Sequence, residues 1–177
     1  MASASAEDLA GARVLEIGGG IGAIQAELLA AGAALGEVVE LVSAWEPYAL
    51  ELAREKGQAE RTTFRVADVL EDPEAVDRAD VVVLNRVVCC SPDGVALAGT
   101  AARLARRTLV LSFPRHALWV RGGITMLNAG LALIRRSFRV FVHPPAALVA
   151  AAEAEGLQMT DGGRGVFWEF AALRRTL

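Results

Sequence analysis

Apolar positions fall into short runs, each followed by a glycine-bearing turn and then a stretch of helical spacing. Residues 13–17 read as a strand, 22–31 as a helix and 37–41 as a second strand. Residues 44–56 carry Trp45, Tyr48, Ala49, Leu52 and Ala53 at helical spacing, and 62–66 alternate as a β-branched third strand. The continuous apolar run 81–84 marks a strand buried on both faces; 94–107 then reads as a helix and 108–113 as a fifth strand. In the insert 115–145, Leu118, Ile124, Leu127, Leu131 and Ile134 recur at helical spacing, and a further helix runs to about 155. Residues 157–160 and 166–173 flank the turn-rich string Asp161-Gly162-Gly163-Arg164-Gly165, which predicts a hairpin. The expected architecture is a single α/β domain over 1–177. Its seven-stranded, mostly parallel sheet carries helices on both faces and ends in an antiparallel hairpin, with 1–11 as a flexible N-terminus.

Composition narrows the class. The 177 residues are 54% hydrophobic with a net charge of −3, so no overall positive field invites nucleic acid. The N-terminus has no basic patch followed by an apolar core, so it does not read as a signal peptide. Residues 117–134 are interrupted by Arg121, Asn128 and glycines, too often for a membrane span. The two cysteines, Cys89 and Cys90, are adjacent, which does not suit a native disulfide. A cytoplasmic protein without a metal site is expected. From a strand end, adjacent thiols are expected not to point into one site, which favours packing for both.

The string Val14-Leu15-Glu16-Ile17-Gly18-Gly19-Gly20-Ile21-Gly22 runs from strand through glycine loop to helix start. Glycines serve where the backbone takes positive φ or a ligand comes close, and helix N-terminal amides beyond such a loop attract a carboxylate or phosphate. The loop alone also fits a dinucleotide fingerprint, with Glu40 about 20 residues on as its ribose acid. Three features tilt the balance. Glu16, two residues before the loop, suits a cofactor with an α-ammonium group and no pyrophosphate. Asp68, closing the third strand, can accept from an exocyclic amine. The terminal hairpin is the third. A short-chain reductase would need a Tyr and a Lys four apart; Tyr48 and Lys56 are eight apart.

Together these features resemble the class I S-adenosylmethionine-dependent methyltransferases, which implies a Rossmann-like fold and S-adenosyl-L-methionine as cofactor. By that resemblance Gly18, Gly19, Gly20 and Gly22 line the methionine moiety beside Glu16. Glu40 takes the ribose hydroxyls, Leu41 and Trp45 pack near the adenine, and Asp68 with the Val69 amide reads its edge. Asn85 and Arg86, ending the fourth strand, complete the cofactor side. The fourth-strand loop lacks the Asn-Pro-Pro-Tyr-like string of many N-methylating relatives, which favours O-methylation of a hydrophobic small-molecule acceptor. The layout after Ser112-Phe113, an apolar helical insert and then a His-led segment, is similar to that of magnesium-protoporphyrin O-methyltransferases. His143 is the candidate general base, with a half-buried histidine bonding a backbone carbonyl as the alternative. Arg115 is the candidate holder of an acceptor carboxylate.

The insert reads first as a lid, and is compatible with a peripheral membrane contact or a homodimer surface. Only a dozen residues precede Arg13, where most such proteins carry a covering helical segment. A partner subunit is one expected cover, and a cofactor-binding scaffold with little activity alone is the alternative function. An NAD(P)-binding protein is the second alternative.

Overall fold

The computed structural model describes residues 9–176; most of the expected flexible N-terminus, residues 1–8, lies outside them. In chain order the elements are β1 (Arg13–Ile17), α1 (Ala23–Ala30), β2 (Leu35–Glu40), α2 (Glu46–Glu55), β3 (Thr62–Val66) and β4 (Ala79–Asn85). They continue with α3 (Gly94–Leu104), β5 (Ala105–Pro114), α4 (Leu118–Leu133), α5 (Pro145–Glu153), β6 (Leu157–Arg164) and β7 (Trp168–Arg175). The seven strands form one sheet in the order β3-β2-β1-β4-β5-β7-β6. Its neighbours from β3 to β5 pair in parallel, while β7 runs antiparallel to β5 and to β6. The expected fold class is the one observed.

The apolar run of β4 explains its central place. Val82 and Leu84 enter the larger core with Leu109, Leu111, the alanines of α3 and Leu148 of α5. Val81 and Val83, on the opposite face, join Val14 and the α1 residue Leu29. Such two-sided burial is what a parallel strand between helical layers requires. A buried charge sits among the three strands at the β3 end of the sheet. The Glu37 carboxylate accepts from Arg13 at 2.8 Å and Arg65 at 2.6 Å, so a single acid ties β1, β2 and β3 together. The hydrogen bond to Glu37, and then its charge, raise the Arg65 pKa above its ordinary value.

Two boundaries differ from expectation by three residues or more. Helix α3 stops at Leu104, and β5 begins at Ala105 rather than Thr108. The Arg175 guanidinium donates to the carbonyls of Ala102 and Ala105 from β7, satisfying the helix end without a capping glycine. The hairpin string expected to turn at 161–165 instead stays in β6 through Arg164. A Cβ on Gly163 would lie 2.2 Å from Cε1 of Phe170, so this glycine makes room for a cross-strand aromatic ring. The chain reverses over 165–167 instead, where the Gly165 amide donates to the Trp168 carbonyl at 2.8 Å.

Candidate functional site

The carboxyl ends of β3, β2, β1 and β4 lie side by side, with Ile17 opposite Val39, Glu40 opposite Val66, and Asn85 opposite Ser112 of β5. The glycine loop leaves β1 in left-handed backbone at Gly18, Gly20 and Gly22 (φ 68, 58 and 74°). Space adds its own demand at Gly18, where a Cβ would stand 2.2 Å from the Val87 side chain, and at Gly19, where it would meet the Glu16 carboxyl at 2.7 Å. Beside Gly20 the space is open. That is where a ligand can approach the backbone.

Three carboxylates hold this edge in different ways. Glu16 is 3% exposed, and its Oε2 accepts from the Gln25 amide of α1 at 3.0 Å, fastening the loop to the helix it leads into. Burial pushes its pKa up to about 7, the Gln25 hydrogen bond lowers it, and the nearby Glu40 charge raises it further. Glu40 accepts from the Gly20 amide at 2.6 Å and from its neighbour Leu41 at 3.2 Å. Asp68 Oδ1 accepts from the Leu70 amide at 2.8 Å, a turn that buries the Val69 side chain in the core. Leu41, Trp45, Tyr48 and Val66 are exposed on this side, with Trp45 and Tyr48 in edge contact at 6.5 Å.

Across the edge, Arg86 takes left-handed backbone (φ 58°) and its amide donates to Ser112 Oγ at 2.9 Å; that hydroxyl donates to Asn85 Oδ1 at 2.8 Å. The Arg86 guanidinium rests 4.9 Å over the Trp168 ring of β7, so its side chain extends toward the hairpin. Ser112 enters the sequence pattern only as part of Ser112-Phe113 and Trp168 not at all, because these contacts depend on a cross-strand register no local pattern carries. His143 stacks on Phe141, and its Nε2 stands 3.0 Å from the Ser91 carbonyl oxygen. That contact uses Nε2 as a donor and leaves Nδ1 as the nitrogen able to take a proton. Arg115 is engaged at the hairpin tip, near the carbonyls of Gly165 and Val166 and 3.6 Å from Glu169.

Cys89 is buried, as the expected packing requires, whereas Cys90 is exposed, and the expected divergence of the two thiols is corrected. Residues 88–90 form a 3-10 turn, and both thiols reach back to one acceptor, the Arg86 carbonyl, at 3.3 Å for Cys89 and 3.8 Å for Cys90. A tight turn lets consecutive side chains bond backward onto the same carbonyl, which a strand end would not. The Cys89 thiol lowers the pKa of Cys90, while that hydrogen bond and burial raise its own.

No family model and no curated protein matches this sequence. Solved structures do match in fold. Magnesium protoporphyrin IX methyltransferase from Synechocystis PCC 6803, with bound SAH, aligns at TM-score 0.77 and 23% identity over 96% of this chain and 76% of its own. The fold is that of the class I methyltransferases. An O-methyltransferase family 2 protein from Planctomyces limnophilus, in complex with apigenin, aligns at TM-score 0.72 and 16% identity. That alignment covers 94% of this chain and 52% of the other, so the chain spans about half of that protein's length. The [4+2]-cyclase SpnF aligns at TM-score 0.70 and 13% identity over 94% of this chain and 75% of its own. The class I fold thus extends to a protein named for a different reaction, and chemistry has to be argued from the site.

Proposed function

We propose that the chain binds S-adenosyl-L-methionine at the β3–β2–β1 edge and catalyses methyl transfer to a hydrophobic small molecule, with oxygen the favoured nucleophile. One arrangement carries the reading: a three-glycine left-handed loop with open space at Gly20, flanked by Glu40 and followed along the edge by Asp68. Neutral, small-residue backbone suits an amino-acid moiety, and the two acids suit ribose hydroxyls and an adenine amine. Glu40 would exchange the Gly20 amide for the ribose, and Asp68 has its second oxygen left for the base. The exposed Leu41, Trp45 and Val66 offer the apolar walls an adenine needs. When bound, the cofactor would supply an electrophilic methyl group on a sulfonium, for which the neutral thioether is the leaving group.

The chain's own work is alignment and exclusion of water at the carboxyl edge. His143 would accept an acceptor proton at Nδ1, its Nε2 being held on Ser91. A carboxylate acceptor would need no base. The 115–145 insert is read as the cover of the acceptor side. The neighbours named for magnesium protoporphyrin IX and bound to apigenin support a small-molecule acceptor. A second reading, a cofactor-binding scaffold with little turnover alone, draws support from the engagement of both Arg115 and His143 Nε2 within the protein.

Calorimetry tests the first step: S-adenosylhomocysteine should bind and NAD⁺ should not. Glu40→Ala and Asp68→Ala should each weaken binding about tenfold or more, the scale of a hydrogen bond to a charged group. Binding of NAD⁺ alone would overturn the reading. Tight cofactor binding with no transfer to a panel of phenolic and carboxylate acceptors would select the scaffold. Where transfer is seen, His143→Gln, which keeps a donor for Ser91 but no base, should slow it and leave S-adenosylhomocysteine affinity unchanged.

A further inference from the structure

Helix α4 faces the solvent with its apolar side. Val120 and Ile124 are its buried residues, and Asn128, one turn on, is tied to Val140 by two hydrogen bonds of 2.7 and 2.9 Å. The opposite stripe at helical spacing is Leu118, Gly122, Met126, Ala129 and Leu133. Leu118, Met126 and Leu133 there are 83, 77 and 85% exposed. Trp119 extends the patch to the hairpin tip, meeting Phe167 edge-on at 6.1 Å, with Val166 exposed beyond. A helix that is apolar on both faces but open on one has a partner to find. At 16 residues it is no span: no helix among the described residues is long and apolar enough to cross a membrane.

Charge names the partner. Between residues 115 and 152 lie five arginines, while all 21 acidic residues of the chain fall outside that segment. Arg121, Arg135 and Arg136 are exposed, and none of the ion pairs among the described residues involves them. The end of α4 is built to present them. The Arg136 amide donates to Leu131 and the Arg135 amide to Ala132, the paired bonds of a helix terminus that ordinarily places glycine at the left-handed position. Here that position, φ 55°, is held by Arg135. Left-handed backbone strains a residue that carries a Cβ, and Arg135 sets a cation there at the rim of the apolar face.

We propose that the outer face of α4, rimmed by Arg121, Arg135 and Arg136 and continued by Val166 at the hairpin tip, docks on an anionic lipid bilayer surface. A symmetric pairing with a second copy would set these arginines against one another with no acid in the patch to receive them. A bilayer accepts the apolar stripe at the acyl boundary and the arginines among its headgroups. The docked face borders the post-β5 loop and the hairpin, so a hydrophobic acceptor would enter from the membrane. That last consequence rests on the proposed methyl transfer; the docking does not.

Sedimentation of the full chain with vesicles tests the docking without any turnover. Partition into phosphatidylcholine vesicles containing phosphatidylglycerol should exceed that into pure phosphatidylcholine by about tenfold or more, and should fall as NaCl is raised. Met126→Glu and Leu133→Glu, both on exposed positions, should abolish it. Arg135→Gly is the discriminating variant: it should raise the melting temperature by relieving the left-handed strain, yet weaken anionic-vesicle binding about fivefold, the worth of one arginine at such a surface. Equal partition into neutral vesicles, or none into anionic ones, would overturn the proposal. So would self-association in sedimentation equilibrium that Met126→Glu removes, since the face would then belong to a second copy.

Discussion

Glu16 keeps a carboxyl group at 3% exposure with the Gln25 amide on one oxygen, and burial lifts its pKa from 4.5 to about 7. The unfolded chain binds that proton only below its ordinary value, whereas the folded chain holds it up to about 7. The stability this confers is therefore fully present below pH 4.5, declines through the interval, and is gone once pH passes about 7. At roughly 1.4 kcal/mol per unit, the full loss is about 3 kcal/mol. Glu16→Gln still offers an oxygen to the Gln25 amide and cannot ionise. Urea unfolding should find the two proteins similar near pH 4.5 and the variant more stable by about 2–3 kcal/mol at pH 8. A difference that stays constant with pH would mean that Glu16 ionises in the fold at no cost.

Two glycines of ordinary backbone show how an element's surroundings decide the sign of one added methyl. At Gly163 in β6 the new Cβ would stand 2.2 Å from the Phe170 ring. Gly163→Ala should lower stability by about 1–3 kcal/mol. At Gly99 in α3 it would meet Ala151 no closer than 3.8 Å, an ordinary contact. Gly99→Ala should raise stability by about 0.5–1 kcal/mol, because alanine loses less conformational freedom in a helix. Thermal unfolding of both variants checks the pair. The hairpin assignment is also open to a relief test, since Phe170→Ala should erase most of the Gly163→Ala penalty. If that penalty persists without the ring, the glycine serves β6 for some other reason.

Across the whole molecule, what was legible in the sequence is what neighbours in the chain decide. Strand β3, the two-sided β4 run and the glycine loop follow from local pattern, as do the acid that ends β2 and the acid that follows β3. The end of α3 was misjudged because its cap, Arg175, arrives from the far end of the chain. The hairpin turn was misplaced because Gly162 and Gly163 read as turn residues, when Phe170 across the ladder is what requires Gly163. The hairpin-tip partners of Arg115 and the Ser91 contact of His143 are likewise long-range. The sheet order separates two surfaces, with the glycine loop and its acids on β3–β2–β1 and α4 beside β5 and the β6–β7 turn. A ligand on the first should therefore be insensitive to changes on the second. S-adenosylhomocysteine at about 100 times its dissociation constant should stabilise the fold by about 2.7 kcal/mol. In a domain of this size that raises the melting temperature by about 5–10 °C. Met126→Glu should keep that shift in full, and Glu40→Ala at the same ligand concentration should keep about half of it or less. If Met126→Glu shrinks the shift as Glu40→Ala does, α4 closes over the cofactor, and its outer face is part of the same site.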